Sequence, residues 1–368
     1  ILKTNNRWVK VSFEKPVIGV TMGDPVGIGP EIVLKALKHR EIYDLCYPVV
    51  VGDPVVFRKI NEKCGLGFNI NIVEEGDLRR VRELGFESGE AYLVDIKGPD
   101  LSDIEFGVMS VKAAEATYLT LAKSVELAMK GLIDAVATAP INKQEMHLKY
   151  KDFIGHTEFL QQATGAPIAL TMFQLENMRV FFLTRHVALR DIFKYVKKEN
   201  ILVMLRVMNV VLNALGVKNP RIAVAALNPH ASDGGLFGDE ELTEIQPAVE
   251  EAKREGINVE GPIPADSVFW QGRQGKYDAI LSLYHDQGHI ATKTVDLYKT
   301  VSVTLGLPFI RTSPDHGTVY SRAGKCTSSE VSMKESIILA AKYARSWREA
   351  WGRIKDIVST ALTSGADY

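Results

Sequence analysis

The chain has 368 residues, of which 46% are hydrophobic and 24% charged, and its net charge is −1. That balance excludes a disordered polymer, and without a long basic run it offers no bulk attraction to nucleic acid or to an anionic membrane surface. No apolar run is long enough to span a bilayer, and the length exceeds one comfortable core, so two domains of ordinary size are expected. The three cysteines, Cys46, Cys64 and Cys326, are odd in number and form no CxxC pair. A reduced, cytoplasmic setting is the simplest account. The opening stretch ILKTNNRWVKVSFEKP has neither the apolar core of a signal peptide nor an initiator Met.

Short β-branched runs alternate with longer helical patterns. The strands predicted are 17–22, 49–52, 135–139, 168–172, 180–184, 222–227, 279–284 and 301–305, and the helices are 30–38, 111–130, 201–215, 240–254 and 333–344. Several strands are apolar without strict alternation, as strands covered on both faces are. The pattern implies an α/β architecture with largely parallel sheets. Pro30 suits a helix start, and Gly131 after Lys130 suits a helix stop. Segments 62–78 and 97–107 read as irregular. There is no Gly/Ser or Pro linker, so two domains must be joined by crossing segments.

Five motifs carry chemistry. The stretch MGDPVGIGPE at 22–31 lies between a strand and a helix, and its glycines let the backbone turn tightly or approach a ligand. An ordinary strand–helix turn and a ligand loop weigh evenly there, and the glycine spacing is not that of a Rossmann fingerprint. In GHTE, His156 and Thr157 open a helical pattern, with Thr157 placed to cap it. A helix N-terminus favours anions, although a plain cap is the commoner reading of such a string.

The third motif is a set of three histidines, His186, His230 and His285, drawn from only eight in the chain, each following a strand-like run. Any one alone reads as structural. Together they suit a divalent-metal site with open positions. Asp266 and Asp286 are nearby acids that suit a ligand, a second-layer partner or a proton-transfer group. The fourth is the stretch 288–311, where Lys293 and Arg311 are the cations. Arg311 is expected at a strand end, binding a carboxylate or phosphate as readily as forming an ordinary salt bridge. The fifth, from Asp315 to Gly324, reads on its own as a glycine-containing loop.

In this order the strings GHTE, LNPHA, YHDQG and LGLPFIRTSPDHGT resemble the 4-hydroxythreonine-4-phosphate dehydrogenase family, from about residue 17 to the helix at 333. MGDPVGIGPE and DHGT…AG are also similar to strings of isopropylmalate dehydrogenases. The resemblance implies a two-domain α/β fold of the isocitrate/isopropylmalate dehydrogenase kind with a central cleft. Residues 1–140 plus 310–368 would form the first domain, with the cofactor loop, and 141–309 the second, with the metal and dimer contacts. It implies an obligate homodimer with a shared active site, His186, His230 and His285 as metal ligands, and Asp266 and Asp286 as acids beside the metal. His156, Thr157, Lys293, Ser302 and Arg311 would bind substrate. His316, Gly317, Thr318, Ser321, Arg322 and Gly324 would bind the dinucleotide.

Two departures from the family pattern bear on specificity. Ser302 stands where the vitamin-B6 pathway enzymes carry Asn. With Gly288-His289-Ile290-Ala291 it looks more like the branch acting on 4-phospho-D-threonate or 4-phospho-D-erythronate. Ser321 stands where an Asp would favour NAD, and Arg322 follows it, so NAD is the first expectation and NADP the second.

The resulting expectation is metal-dependent oxidation of a C3 hydroxyl followed by decarboxylation to dihydroxyacetone phosphate. Lys293, or else Asp286, handles the proton, and Zn, Mg, Mn or Co is the metal. The alternatives are 4-hydroxythreonine-4-phosphate itself, an aromatic cis-dihydrodiol, a metal-dependent hydrolase, or a non-catalytic binding module that keeps the cleft.

Overall fold

The computed structural model describes residues 2–4, 7–9, 15–83 and 86–363. Its strands are β1 (Leu2–Thr4), β2 (Arg7–Val9), β3 (Val17–Thr21), β4 (Tyr47–Gly52), β5 (Asn69–Ile72), β6 (Glu90–Asp95), β7 (Ala135–Thr138), β8 (Leu170–Leu175), β9 (Met178–Phe182), β10 (Ile222–Ala225), β11 (Val259–Ile263), β12 (Ala279–Ser282), β13 (Val301–Leu305) and β14 (Ile310–Pro314). The helices are α1 (Gly29–Ala36), α2 (Arg40–Leu45), α3 (Pro54–Lys63), α4 (Val111–Met129), α5 (Lys143–Met146), α6 (His156–Thr164), α7 (Lys198–Ala214), α8 (Gln246–Arg254), α9 (Ala265–Arg273), α10 (His285–Lys293) and α11 (Val331–Thr363).

One twelve-stranded sheet runs through the molecule in the order β11-β10-β12-β9-β8-β13-β14-β7-β3-β4-β6-β5. Strands β11, β10, β12 and β9 pair in parallel, as do β14, β7, β3, β4, β6 and β5. Between these blocks β9–β8, β8–β13 and β13–β14 pair antiparallel. Three reversals make the two blocks run in opposite directions. Every residue of β3, β7, β9, β10 and β12 is buried, which is why these strands read as largely apolar runs without alternation, and β14 is equally buried despite its polar IRTSP string. α11 covers β14 and β7 and packs on α7, with Trp347 and Tyr343 fully enclosed. No helix among the described residues is long and apolar enough to cross a membrane.

Local chemistry sets the helix ends that matter here. Ser110 caps α4 by accepting from Ala113 N at 3.0 Å, and Gly131 ends it with φ 69°. Asn142 caps α5, accepting from Gln144 N at 2.8 Å and Glu145 N at 3.3 Å.

Several expectations are corrected. Part of the stretch 62–78, read as irregular, forms β5 on the sheet's edge, paired with β6. Arg311 lies inside β14, not at a strand end. Gly155, not Thr157, is the N-cap of α6. Cys64 and Cys326, 262 residues apart, are joined in a disulfide, so their spacing gave no hint of it and only Cys46 is free. The fold brings the end of α3 against the stretch that follows residue 324.

Candidate active site

The site is built on one face of the sheet where the two blocks meet. Register pairs Thr304 with Arg311 across β13–β14 and with Thr171 across β13–β8. Paired residues share a face, so one polar floor runs across β7, β14, β13 and β8. Arg311 Nε donates to Thr138 Oγ1 at 2.8 Å, and Nη1 donates to Thr304 Oγ1 at 3.3 Å. Arg185 Nη1 donates to Thr171 Oγ1. Burial lowers the pKa of Arg185 and brings that of Arg311 to about 9. Neither guanidinium forms an ion pair with a carboxylate among the described residues, and Glu158 is the acid whose charge reaches both. Ser302, two residues from Thr304 on the same face, pairs with Ser313 and Phe173.

His156 opens α6 above this floor. Its Nε2 is sealed from solvent and meets no hydrogen-bond partner. Burial first, then the charges of Arg311 and Lys143, keep the ring well below its usual pKa and therefore neutral. Arg311, Arg185, Lys143 and a neutral His156 with an unused nitrogen form a basic cluster with a deficit of acids, a chemistry suited to an anionic ligand.

The three histidines follow β9, β12 and β10, which are adjacent and parallel, so they are offered at the C-terminal ends of neighbouring strands. Open α/β sheets bind ligands at that edge. His285 begins α10. Its Nδ1 donates to Asp286 at 2.7 Å, which leaves Nε2 free as a ligand. The His186 and His285 rings are 6.1 Å apart, and burial lowers the pKa of His186. His230 is exposed in a turn where it, Ala231 and Ser232 all have positive φ. Asp266 is exposed on α9, which packs against that turn. Among the described residues no group of three or more His, Cys, Asp or Glu side chains converges to hold a metal within one chain.

α10 is fixed by Gln287, which accepts from Leu283 N and donates to the Ala226 carbonyl, both at 2.7 Å. Gly288 lets it lie on β9, since a Cβ there would sit 2.6 Å from Phe182. His289 stacks on His285 with ring centroids 3.6 Å apart, and its Nδ1 donates to the His285 carbonyl at 2.8 Å. At the far end of α10, Lys293 Nζ meets Asp315 Oδ2 at 2.5 Å.

The segment 316–324 lies on the glycine turn. Ile28 N donates to the Thr318 carbonyl at 3.0 Å, and a Cβ on Gly27 would sit 2.9 Å from Thr318 Cβ. Gly324, at φ 67°, packs on Phe106. Ser321 and Arg322 are exposed and His316 is half-buried. The motif-based reading passed over Lys143 and Arg185, and took Asp315 only as the start of a loop. Each sits beside a residue it had named, but the partners that reveal them come from other strands and helices.

A family model described as pyridoxal phosphate biosynthetic protein PdxA matches residues 44–340. The chain belongs to the PdxA family. It is 46% identical over 334 residues to a Symbiobacterium thermophilum protein described, provisionally, as a D-threonate 4-phosphate dehydrogenase, covering 91% of this chain and 98% of that one. A Clostridium botulinum protein of the same description is 46% identical over 335 residues, 91% of this chain and 99% of its own. Among solved structures, a 4-hydroxythreonine-4-phosphate dehydrogenase from Klebsiella pneumoniae superposes with a TM-score of 0.80 at 36% identity, over 89% of this chain and 99% of that one. This PdxA-family chain is an oxidoreductase acting on a CH–OH group.

Proposed function

We propose that this enzyme oxidises the C3 hydroxyl of a 4-phosphorylated four-carbon hydroxy acid, 4-phospho-D-threonate or 4-phospho-D-erythronate. The resulting 3-keto acid then loses CO2, the C1–C2 electron pair passing toward the ketone as an enolate that takes up a proton at C2, which leaves dihydroxyacetone phosphate. The observation that carries this reading is the basic cluster: two guanidiniums without carboxylate partners, placed on threonines of the sheet near the unpartnered His156 Nε2. A substrate with a phosphate at one end and a carboxylate at the other supplies the missing anions. The relatives described as D-threonate 4-phosphate dehydrogenases support the acid with a 2-hydroxyl.

The chain's own groups divide the work. Arg311, Arg185, Lys143, His156 and Thr157 hold the anionic ends. Lys293 and Asp315 stand where the histidine helix meets the dinucleotide segment. The proton leaving the C3 hydroxyl passes to this pair, while the C3 hydrogen departs with its electron pair. The segment with His316, Gly317, Thr318, Ser321, Arg322 and Gly324 takes the dinucleotide, NAD by first choice. Exposed Arg322 beside Ser321 favours testing NADP as well.

His186 and His285, each with a nitrogen free for a ligand, fit two positions of a divalent-metal site, and His230 from a second copy completes it. Bound there, the ion and the nicotinamide supply a Lewis acid for oxygen and an acceptor for hydride. Large apolar side chains exposed around these histidines, including Leu189, Leu236, Trp270 and Ile290 at 63–71% exposure, support a homodimer that covers this edge. The fold on this reading is of the isocitrate/isopropylmalate dehydrogenase kind.

The test is a substrate panel with NAD and NADP and mass-spectrometric product identification. Turnover of 4-phosphothreonate or 4-phosphoerythronate to dihydroxyacetone phosphate is expected. Preference for 4-phosphohydroxythreonine, or for an unphosphorylated dihydrodiol, would overturn the reading.

A further inference from the structure

Beneath the segment 316–324, two carboxyl side chains without solvent exposure lie together, Asp24 from the glycine turn and Glu145 from α5. Their donors are unequal. Asp24 Oδ1 accepts from Val26 N at 2.9 Å and from Gly27 N at 3.1 Å, and Oδ2 accepts from the Tyr320 hydroxyl at 2.6 Å. Glu145 Oε1 accepts from Ser110 N at 3.1 Å, while its Oε2, sealed from solvent, meets no donor. Two adjoining buried carboxylates repel, and a single proton between them turns repulsion into a hydrogen bond. Two backbone N–H groups and the Tyr320 hydroxyl stabilise the charge on Asp24, whereas Glu145 has the Ser110 N–H and only a minor share of Tyr320, so the proton resides on Glu145. Burial, then the Asp24 charge, push the Glu145 carboxyl up to about 9, and burial raises Asp24 as well against its donors. The other groups facing the pair are the Tyr320 phenol, itself raised by burial and by Asp24, the Ser110 N–H and the Asn142 side chain beside Tyr320.

These contacts join the glycine turn, the starts of α4 and α5 and the loop that carries Thr318, Tyr320, Ser321 and Arg322. We propose that Glu145 is a positioning residue for dinucleotide binding, acting through Asp24 and Tyr320 to hold the segment 316–324 in its binding shape. This rests on the reading of that segment as the dinucleotide site. The Tyr320 hydroxyl reaches back across 296 residues to Asp24. The pair's geometry also gives the effect a pH signature. The proton remains in place up to about pH 9, and its loss above that puts two negative charges under the loop.

The experiment is fluorescence titration of NADH and NADPH on the full-length protein, from neutral pH to about pH 10, with the substrate KM measured in parallel. The parent should bind evenly up to about pH 9 and weaken above it. Glu145→Gln keeps a donor toward Asp24 but has no proton to lose, so it should match the parent at neutral pH and show no alkaline loss. Glu145→Ala and Tyr320→Phe should weaken dinucleotide binding about tenfold, the scale of one lost hydrogen bond to a charged group, with substrate KM little changed. Tyr320 is only half-buried, so its variant folds even if Glu145→Ala does not. NADH binding that is indifferent to Tyr320→Phe, or an alkaline loss that persists in Glu145→Gln, would overturn the inference alone. Absence of dinucleotide binding by the parent would overturn the reading of the segment and the inference with it.

Discussion

Lys293 Nζ lies 2.5 Å from Asp315 Oδ2, and this contact ties the helix opened by His285 to the loop that begins after β14. Lys293 also sits 5.9 Å from the Phe173 ring on the polar floor. Burial raises the pKa of Asp315, while Lys293, His285 and His316 oppose that shift. A carboxyl so balanced can accept a proton from its lysine as the lysine takes one from substrate. Lys293→Ala should therefore lower kcat by about 10²–10⁴, the usual worth of a positioned proton-transfer group, and change substrate KM far less. Asp315→Asn should lower kcat by a smaller factor and enlarge the solvent isotope effect. A raised KM with kcat unchanged for Lys293→Ala would assign it to binding alone.

Arg311 and Arg185 are expected to exchange stability for function. A buried guanidinium without an acid is costly in the free protein and becomes favourable when an anion arrives. Arg311→Met should leave the thermal midpoint equal or higher while weakening substrate binding by about 2–3 kcal/mol, the range of a charged hydrogen-bonded contact. Arg185→Met should act in the same direction. Loss of stability in both, with substrate affinity intact, would make them structural residues.

The shared-site reading makes a mixing experiment decisive. His186→Ala and His230→Ala should each be inactive and lose metal, measured by elemental analysis. If His230 joins His186 from a second copy, mixed dimers of the two variants contain one intact site and regain part of the parent's activity. No recovery after co-expression would place the ligands on one chain. Chelator treatment of the parent should abolish turnover reversibly.

Strands such as β10 and β13 were legible because burial on both faces leaves short β-branched runs at 222–225 and 301–305, whereas β14, buried but with the polar string IRTSP, was not read as a strand. β11 was missed, since VEGPI contains Gly and Pro and only its first residue is buried. α10 was hidden because HDQGHIATK carries a glycine and three ring- or amide-bearing polar residues. Its helix depends on Gln287 bridging to the ends of β12 and β10. The named site residues were legible as strings. The roles proposed for them rest also on tertiary pairing that no string contains. Arg311 acquires its meaning from Thr138 and Thr304, Lys293 from Asp315, and Glu145 from Asp24.

Reduction of the Cys64–Cys326 bond gives a prediction independent of the chemistry. The two residues are 262 positions apart, so the bond constrains a very long stretch of the unfolded chain. Cys326→Ser should lower unfolding free energy by about 2–4 kcal/mol in denaturant titration, with little change in the slope. Equal midpoints with and without reductant would show that the bond contributes nothing to stability.

The Asp24–Glu145 pair predicts how stability depends on pH. Burial and the Asp24 charge push the Glu145 carboxyl up to about 9 in the folded protein, far above the 4.5 of a free side chain. Between those values the folded state holds a proton that the unfolded state releases. Stability from this group is therefore fully present below about pH 4.5 and declines as pH rises, with the loss complete once pH passes about 9. The direction is opposite to that of a salt-bridged carboxylate, whose contribution is lost on acidification. In Glu145→Gln this term disappears, so the difference in unfolding free energy between variant and parent should grow in the variant's favour from mildly acidic to alkaline pH. Chemical denaturation of both proteins at a series of pH values reads that difference directly. A constant difference across the range would mean that Glu145 is already ionised in the folded protein and that Asp24 tolerates a second charge beside it.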